Sequence, residues 1–421
     1  MTELTSRLRA WIDALDAEFL ERAAAVRLAV IAPAAGQHLL LVGPPGTAKT
    51  MLAQRITEMW SGKLFSTLLT KFSTPEDVFG PLSLPALERG VYARLVEGYL
   101  PTADIAFVDE IYKANAAILN SLLSILNERV FFNGAERVSV PLLSMIAASN
   151  EVPDDDEGLD ALDDRILLRV RVDAVARTES FTRLVDRSMA AAHSRPPSLT
   201  RADALALRVA ASKVRVPEAT VKALLELREA CKASQLVVSD RRWRQAVDAM
   251  ATCAALDEAE AIEPAHLGVL SHVLWRKPAD QPKVQDALAL ALDVMGLSTP
   301  TTSVEELKAL LEESARELSK LSGRAQQQFG GGWGGQTDSR EKVEADGREA
   351  MRKAKHVVVA ADAWLVAMES ELQGRGKLWG PFWADVWTRL DIHAKRERIR
   401  THDFITKRVP AHMPQLASEW G

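Results

Sequence analysis

Short apolar runs alternate with helix-patterned segments between residues 38 and 172. The runs are HLLLVG, FSTLLT, IAFVDEI, LLSMIAASN and ILLRVRV. This alternation is typical of parallel strands whose connecting helices cover one sheet. We therefore predict an α/β fold for residues 1–172, with one or two amphipathic helices over residues 1–35 ahead of the first strand.

The remainder of the chain has the apolar spacing of helices. Residues 173–299 are rich in Ala, Leu, Arg and Glu and carry few strand signals, so they predict an all-α second domain. A third, helical domain is predicted over residues 300–421. The glycine-rich stretch near 327–339 interrupts it and predicts a flexible linker or loop.

Composition and charge exclude some function classes. The net charge of -5 argues against a broad nucleic-acid surface, which needs an excess of basic residues. No apolar stretch approaches the roughly 18–20 residues needed to span a bilayer, and the charged N-terminus lacks the apolar core of a signal peptide. Cys231 and Cys253 have neither the spacing of a metal site nor the number typical of a disulfide framework. We expect a cytoplasmic protein.

A glycine-rich stretch directly after the first apolar run is the strongest chemical signal. Residues 43–50 read GPPGTAKT and fit the pattern G-x-x-x-x-G-K-[ST] between a strand and a helix. In this pattern, backbone N–H groups surround phosphate oxygens, Lys49 reaches the β- and γ-phosphates, and the Thr50 hydroxyl ligates Mg²⁺. A tight turn without a ligand is the alternative. The predicted nucleotide-binding residues of this stretch are Gly43, Pro44, Pro45, Gly46, Thr47, Ala48, Lys49, Thr50 and Met51.

Polar residues end two later apolar runs. Asp109 and Glu110 follow IAFV, and Asn150 follows LLSMIAAS. Because ligands collect at the carboxyl ends of parallel strands, we predict that Asp109 binds Mg²⁺ and nucleotide and that Glu110 polarises the attacking water. Asn150 would bond the γ-phosphate and that water. Taken singly, the acids could simply cap a strand, and the asparagine could simply form a turn.

These motifs together resemble those of the AAA+ ATPases, and within them the MoxR branch. GPPGTAKT, FVDEI, AASN and LDDRILLRV carry the resemblance, and FSTPEDVFGPLSLPAL and VSDRRW are similar to signatures of the RavA-like group. The resemblance spans about residues 15–280. It implies an AAA+ P-loop NTPase core, an all-α lid and a C-terminal helical accessory domain. It also implies ATP and Mg²⁺ as ligands, and a homo-hexamer, closed ring or open spiral, with ATP at the subunit interfaces.

The resemblance also implies roles for two arginines. Arg165, in LDDR, is expected to reach into a neighbour's site as an arginine finger, with Arg169 and Arg171 as nearby rivals. Arg241, in SDRR, is expected to be the lid's sensor of the γ-phosphate, with Arg242 as the alternative. Without the resemblance, Arg165 is better explained by a surface ion pair, and SDRR by a helix N-cap ahead of a basic first turn.

Two segments are expected to face the axial side of such a ring, where a client protein could be moved. They are residues 80–100, which look like the extra helix-2 segment of this clade, and a hairpin for which an Asn-Gly pair at 133–134 predicts a two-residue loop. Tyr92, Phe131 and Phe132 are candidates for client contacts. The alternative is that these aromatic side chains are buried.

The C-terminal third lacks the small β-rich insertion that RavA-like proteins carry, so functions tied to that insertion are not transferred. Trp379, Trp383 and Trp387 recur every four residues and would share one stripe of a helix. A packed core explains the stripe better than a partner-docking face. The basic segment 393–400 is better explained as a solvated helix than as a docking surface for an acidic partner.

These expectations favour a ring ATPase that hydrolyses ATP to remodel or mature a protein client, in the manner of a chaperone. MoxR-type ATPases usually work with a partner that has a von Willebrand A domain, so such a partner is expected. A nucleic-acid-directed motor is the first alternative, and the missing basic excess weakens it. An ATP-switched scaffold with slow turnover is the second, and the presence of both Glu110 and Arg165 argues against it.

Overall fold

The computed structural model describes residues 2–152, 159–186 and 195–294. It also describes some later positions, which are 313, 316, 320, 345, 348, 349, 352, 378–384 and 386. The chain forms two compact units. The first contains Met1–Thr220 and Cys231–Val284, and the second contains Val221–Ala230 and Gln285–Gly421. All the catalytic and nucleotide-binding residues predicted from the sequence belong to the first unit.

The first unit is built on a five-stranded parallel sheet with the strand order β2-β3-β6-β1-β7. Each of the five apolar runs forms one strand, and β1, β3 and β6 are buried along nearly their whole length, as a sheet covered on both faces requires. The α/β prediction is confirmed. The strands of the sheet and of a separate hairpin are β1 (Leu39–Val42), β2 (Leu64–Leu68), β3 (Ile105–Asp109), β4 (Val130–Asn133), β5 (Glu136–Ser139), β6 (Ser144–Ser149) and β7 (Leu168–Arg171).

Helices connect and cover these strands. Two precede β1, as the pattern of the first 35 residues predicts, and the second is buried along most of its length. Short 3₁₀ turns lie at Leu100–Thr102 and Ile111–Lys113. The helices up to residue 186 are α1 (Thr2–Glu18), α2 (Ala23–Ala35), α3 (Lys49–Met59), α4 (Pro75–Phe79), α5 (Leu84–Glu88), α6 (Ala116–Glu128), α7 (Asp160–Arg165) and α8 (Thr178–Val185).

The apolar core forms where α6 packs against the sheet. The buried positions of α6 are Ile118, Leu122, Ile125 and Leu126, which recur at the three- and four-residue spacing of one helix face. They belong to one buried cluster with residues of β1, β3 and β6. Burial of each such side chain contributes about 1.5–3 kcal/mol. The core therefore fixes the end of β3 and the turn that leads to α6, where Asp109 and Glu110 lie.

The predicted hairpin is present, but its loop is Gly134-Ala135 and not Asn133-Gly134. Asn133 stays in the strand because its side chain binds the backbone of Arg94, with Oδ1 accepting from the Arg94 N–H at 2.6 Å and Nδ2 donating to the Arg94 carbonyl at 3.2 Å. Gly134 then takes the first loop position with a φ of 66°. A Cβ there would lie 1.9 Å from the Tyr92 carbonyl oxygen.

The described residues between 201 and 294 lie mainly in helices, in line with their pattern. In the first unit, α9 and α11 pack against each other and against α2. Thr200 and Ser239 cap the two helices with their side chains. A 3₁₀ helix spans Pro264–His272. The α-helices of this part are α9 (Arg201–Ala211), α10 (Glu218–Ala233), α11 (Asp240–Leu256) and α12 (Gln281–Val294).

In the second unit, Trp379 and Trp383 are buried, and the rings of Trp379 and Phe382 stack with centroids 5.6 Å apart. Trp387, the glycine-rich stretch near 327–339 and the basic segment 393–400 lie outside the described residues. Within the part of the chain that is described, no helix combines the length and the apolar character needed to cross a bilayer.

Candidate functional site

The glycine-rich stretch forms a loop between β1 and α3, as its motif predicts. Gly43 packs so closely on the neighbouring strand segment that a Cβ there would lie 2.2 Å from the Val172 carbonyl oxygen. Gly46 has a φ of 78° and open space around it. Ala48 also has a positive φ, 67°, directly before the first residue of α3. The loop is thus exposed at Pro44, Pro45 and Gly46 and ends at a helix N-terminus, which is the arrangement that binds phosphate.

Lys49 lies across the mouth of this loop. Its Nζ donates to the carbonyl oxygens of Gly43 and Pro44 at 2.7 and 2.9 Å, and to Oδ1 of Asn150 at 2.9 Å. Burial lowers the pKa of Lys49, and the carboxylates of Asp109 and Glu110 act in the opposite direction. The two acids are therefore close enough to the lysine to affect its charge, as the motif order predicts.

Glu110 is held at both carboxylate oxygens. Its Oε1 accepts a short hydrogen bond from Nδ2 of Asn150, and its Oε2 lies 3.4 Å from Nζ of Lys113. Its backbone has a φ of 54°, which costs a residue with a side chain about 1 kcal/mol. Lys49, Asn150, Glu110 and Lys113 thus form a continuous polar chain. Together with Asp109 we call this group the phosphate edge, because it lies at the carboxyl ends of β1, β3 and β6.

The residues predicted to hold Mg²⁺ have suitable chemistry. Thr50 is exposed at the start of α3, and Asp109 ends β3, where its Oδ1 accepts from the Glu110 N–H at 3.0 Å. A hydroxyl and a carboxylate are the hard oxygen donors that Mg²⁺ prefers, and an ion bound with a nucleotide needs few protein ligands. Of the other predicted contacts, the Thr47 hydroxyl donates to the Pro44 carbonyl at 2.9 Å, and Met51 is 40% exposed.

Arg165 lies away from the phosphate edge. It ends α7, three residues ahead of β7, whereas Lys49 and Glu110 follow the carboxyl ends of their strands. Its Nη1 donates to the Ala161 carbonyl at 2.7 Å, and its buried Nε has no hydrogen-bond partner among the described residues. Burial and then Arg241 lower its pKa, which Asp164 raises. Neither Asp109 nor Glu110 contributes to that shift.

Arg241 lies beside Arg165, with Asp164 close to both. Its Nη1 is 3.6 Å from Oδ2 of Asp164, and its side chain is 39% exposed. The other oxygen of Asp164 accepts from the Ser239 hydroxyl at 2.6 Å. We call Asp164, Arg165, Ser239 and Arg241 the arginine face. It joins the end of α7 to the start of α11, so the two predicted phosphate-reading arginines share one surface.

The rival arginines have other contacts. Arg169 is fully buried and its Nη1 lies 3.2 Å from Oδ2 of Asp163. Arg171 is half exposed and pairs with Asp173 at 2.9 Å. Arg242 is buried and donates to four carbonyl oxygens, those of Asp163, Ile166, Leu167 and Val273. Burial, with Arg169 nearby, lowers its pKa to about 9. Arg242 therefore holds the lid helix to the core.

Sequence reasoning missed two contacts of the turn that follows β3. Lys113 pairs with Glu110, and the Tyr112 hydroxyl donates to Oδ1 of Asp163 at 2.6 Å. The first is three residues along a 3₁₀ turn, where side chains i and i+3 eclipse, so the sequence contained a signal for it. The second joins positions 51 residues apart, and no local pattern predicts it.

The three aromatic residues that are candidates for client contact differ in exposure. Phe131 is buried and its ring stacks on Phe79 with centroids 5.4 Å apart, which matches the buried alternative. Tyr92 and Phe132 are 52% and 56% exposed. The contact of Asn133 with Arg94 joins the hairpin to the segment that carries Tyr92. The two segments expected to face the ring axis therefore form one surface.

Comparisons with known proteins agree with this architecture. A family model described as the MoxR domain in the MoxR-vWA-beta-propeller ternary systems matches residues 6–208, and one described as an AAA lid domain matches residues 219–288. A crystal structure from Cytophaga hutchinsonii, described as that of a candidate ATPase, has a similar fold with a TM-score of 0.55 at 16% identity. It covers 69% of this chain and 95% of its own.

The relatives in sequence are two uncharacterized proteins and one viral structural protein. Two uncharacterized proteins of Methanocaldococcus jannaschii are 35% and 33% identical over 316 and 276 residues. These stretches make up 73% and 65% of this chain and 80% and 72% of the relatives. Structural protein ORF618 of Acidianus two-tailed virus is 30% identical over 139 residues, which is 32% of this chain and 22% of the viral protein.

Proposed function

Since the chain belongs to the MoxR family of AAA+ ATPases, we propose that it is a homo-hexameric ATPase that hydrolyses ATP with Mg²⁺ to remodel or mature a protein client. The catalytic roles follow the sequence-based assignments. Lys49 binds the terminal phosphates, Glu110 and Asn150 orient the attacking water, and Arg165 of one subunit neutralises charge at the site of the next. Thr50 and Asp109 would hold the Mg²⁺ ion, which screens phosphate charge when bound.

One observation carries the proposal. The phosphate edge and Arg165 lie at opposite ends of the parallel strands. The phosphate edge follows the carboxyl ends of β1 and β3, and Arg165 precedes the amino end of β7. β1 and β7 are paired in parallel from Leu39 and Leu168, so the four residues of β7 separate these ends by roughly 13 Å. An arginine on that side serves a phosphate best when a second copy supplies it.

A subunit that presents an arginine on one side and binds phosphate on the other can pack head to tail with copies of itself. Such heterologous interfaces close into rings or continue as spirals, which fits the expected hexamer. Because Arg241 shares a surface with Arg165, we propose that both serve the same neighbouring nucleotide. The nearness of Asp164 to both arginines supports this, since it lowers the repulsion between two guanidinium groups.

The partner and the client are proposed from the family. The matched family model refers to systems of MoxR, von Willebrand A and β-propeller proteins, so we propose that a von Willebrand A domain protein works with this chain. A chaperone-like output fits such a system. The surface with Tyr92 and Phe132 is our candidate for client contact, because both side chains are exposed and the segments that carry them are joined by Asn133. Membership of the RavA-like group also remains a proposal.

Two variants of the phosphate edge test the proposed hydrolysis. Glu110→Gln should bind ATP with about wild-type affinity and lose turnover, since the amide cannot polarise water while the loop is unchanged. Lys49→Ala, its matched control, should lose nucleotide binding itself. Binding is measured with a fluorescent ATP analogue and turnover by phosphate release, with Mg²⁺ present. Normal turnover by Glu110→Gln, or no binding by the wild-type chain, would contradict the proposal.

A further inference from the structure

Three different elements hold α7, the short helix that ends at Arg165. Arg169 of β7 bonds the Asp163 side chain at 3.2 Å and its carbonyl at 2.6 Å. Arg242 of α11 donates to the same carbonyl at 3.2 Å. Tyr112 donates to the Asp163 carboxylate at 2.6 Å. Of these three, Tyr112 comes from the turn that also carries Glu110.

That turn is short and internally bonded. The Lys113 N–H donates to the Glu110 carbonyl at 2.9 Å, and the Ala114 N–H donates to the Ile111 carbonyl at 3.2 Å. Two closed turns over five residues leave little freedom between Glu110 and Tyr112. Packing of the Tyr112 ring against the main apolar core adds a further restraint. A shift of Glu110 would therefore move the Tyr112 hydroxyl as well.

The other side of the contact is equally short. Asp163 and Arg165 lie within one turn of the six-residue helix α7, so their backbones move together. Asp163 is 6% exposed, and a buried carboxylate follows its hydrogen-bond donors because an unpaired one is costly. A displacement of the Tyr112 hydroxyl is thus transmitted through Asp163 to the position of Arg165.

Charge balance does not require the tyrosine. The Asp163 carboxylate has Arg169 at 3.2 Å and Arg276 at 3.7 Å, so two guanidinium groups already compensate it. The neutral Tyr112 hydroxyl therefore orients the Asp163 carboxylate and does not compensate its charge. The hydrogen bond from Tyr112 is also shorter than either ion pair, so it constrains the carboxylate most closely.

We propose that Tyr112 is a positioning residue that links the catalytic turn of one subunit to the arginine which that subunit presents to its neighbour. The link rests on the proposed function, because it needs Arg165 to act in a second copy. Through this link, each nucleotide site of a ring is coupled to the site of the next subunit. The turn that carries the water-polarising Glu110 in one subunit also determines the position of the Arg165 that acts in the next.

The test is a double-mutant cycle in the full-length assembly, with turnover and ATP affinity measured separately. Tyr112→Phe removes one oxygen and keeps the packed ring. We expect it to lower kcat about tenfold through a misplaced guanidinium, with the Kd for a fluorescent ATP analogue unchanged. In an Arg165→Ala background, Tyr112→Phe should have no further effect, because the group through which it acts is gone.

The control is Tyr99→Phe, since Tyr99 packs against the same apolar core and its hydroxyl makes no hydrogen bond to the described residues. This variant should keep wild-type kcat. An unchanged kcat in Tyr112→Phe, or an equal fold-loss with and without Arg165, would overturn the proposal. Full activity of Arg165→Ala would instead refute the proposed role of Arg165 in the neighbouring site, so the two failures are distinguishable.

Discussion

The phosphate edge and the arginine face differ in how their charges are compensated. At the phosphate edge, Lys49, Glu110 and Lys113 are joined through Asn150 and by direct contact, so each charged group has a partner of its own chain. At the arginine face, a single carboxylate, Asp164, lies close to two guanidinium groups. The first region is balanced, and the second has an excess of positive charge.

Arg165 of the arginine face also has a hydrogen-bond donor without an acceptor among the described residues. The buried Nε of Arg165 has no hydrogen-bond partner within the described part of the chain, and a buried donor left unpaired costs about 1–3 kcal/mol. An unpaired donor at this face is compatible with an acceptor supplied from outside the subunit. We propose that an anion from outside the subunit completes this face, and a phosphate bound by a neighbouring copy has the required charge.

Removal of Arg165 from the arginine face should have the largest effect on turnover. We expect Arg165→Ala to leave nucleotide affinity nearly unchanged and to lower kcat about a thousandfold, because transition-state charge loses its trans guanidinium. Phosphate release by the purified assembly measures this. Arg171→Ala is the matched control, since Arg171 is half exposed and pairs with Asp173. Normal turnover by Arg165→Ala, or a comparable loss in Arg171→Ala, would show that the finger has been assigned to the wrong residue.

Removal of Arg242 should act on stability. Its guanidinium satisfies four buried carbonyl groups, so Arg242→Met should lower the free energy of unfolding by about 3 kcal/mol or more. Chemical denaturation measures the loss. A variant as stable as the wild type would show that α11 is held to the core by other contacts.

Removal of Arg241 should have the smallest effect and sharpen the distinction from its neighbour. Arg241 is 39% exposed and its ion pair with Asp164 spans 3.6 Å, so Arg241→Ala should change stability by less than about 0.5 kcal/mol. We expect kcat to fall on the order of tenfold, because one phosphate-reading group is lost. Unfolding and turnover are measured on the same preparation. A stability loss with normal kcat would assign Arg241 a structural role instead.

The sequence predicts the sheet and the phosphate loop well because both depend on local patterns. Five apolar runs of strand length became five strands, and the spacing of the glycine-rich motif fixes where Lys49 falls relative to β1. The glycine at position 43 is required for a reason that no motif states, which is its close approach to the Val172 carbonyl.

The remaining features depend on contacts between distant positions. The hairpin loop is displaced by one residue because Asn133 binds Arg94, 39 residues away in the chain. The adjacent arginines Arg241 and Arg242 look alike in sequence, and only the packing of α11 decides which of them is buried. The bond from Tyr112 to Asp163 has the same origin, since it arises where two connecting segments meet.

The most direct measurement of a shared site is complementation between two inactive variants. Glu110→Gln subunits keep Arg165, and Arg165→Ala subunits keep Glu110. Subunits are dissociated, mixed in equal amounts and reassembled, and phosphate release is compared with that of each variant alone. Random assembly makes roughly a quarter of the head-to-tail interfaces complete, so we predict that the mixture recovers a substantial part of wild-type turnover. A mixture as inactive as its two components would contradict the account.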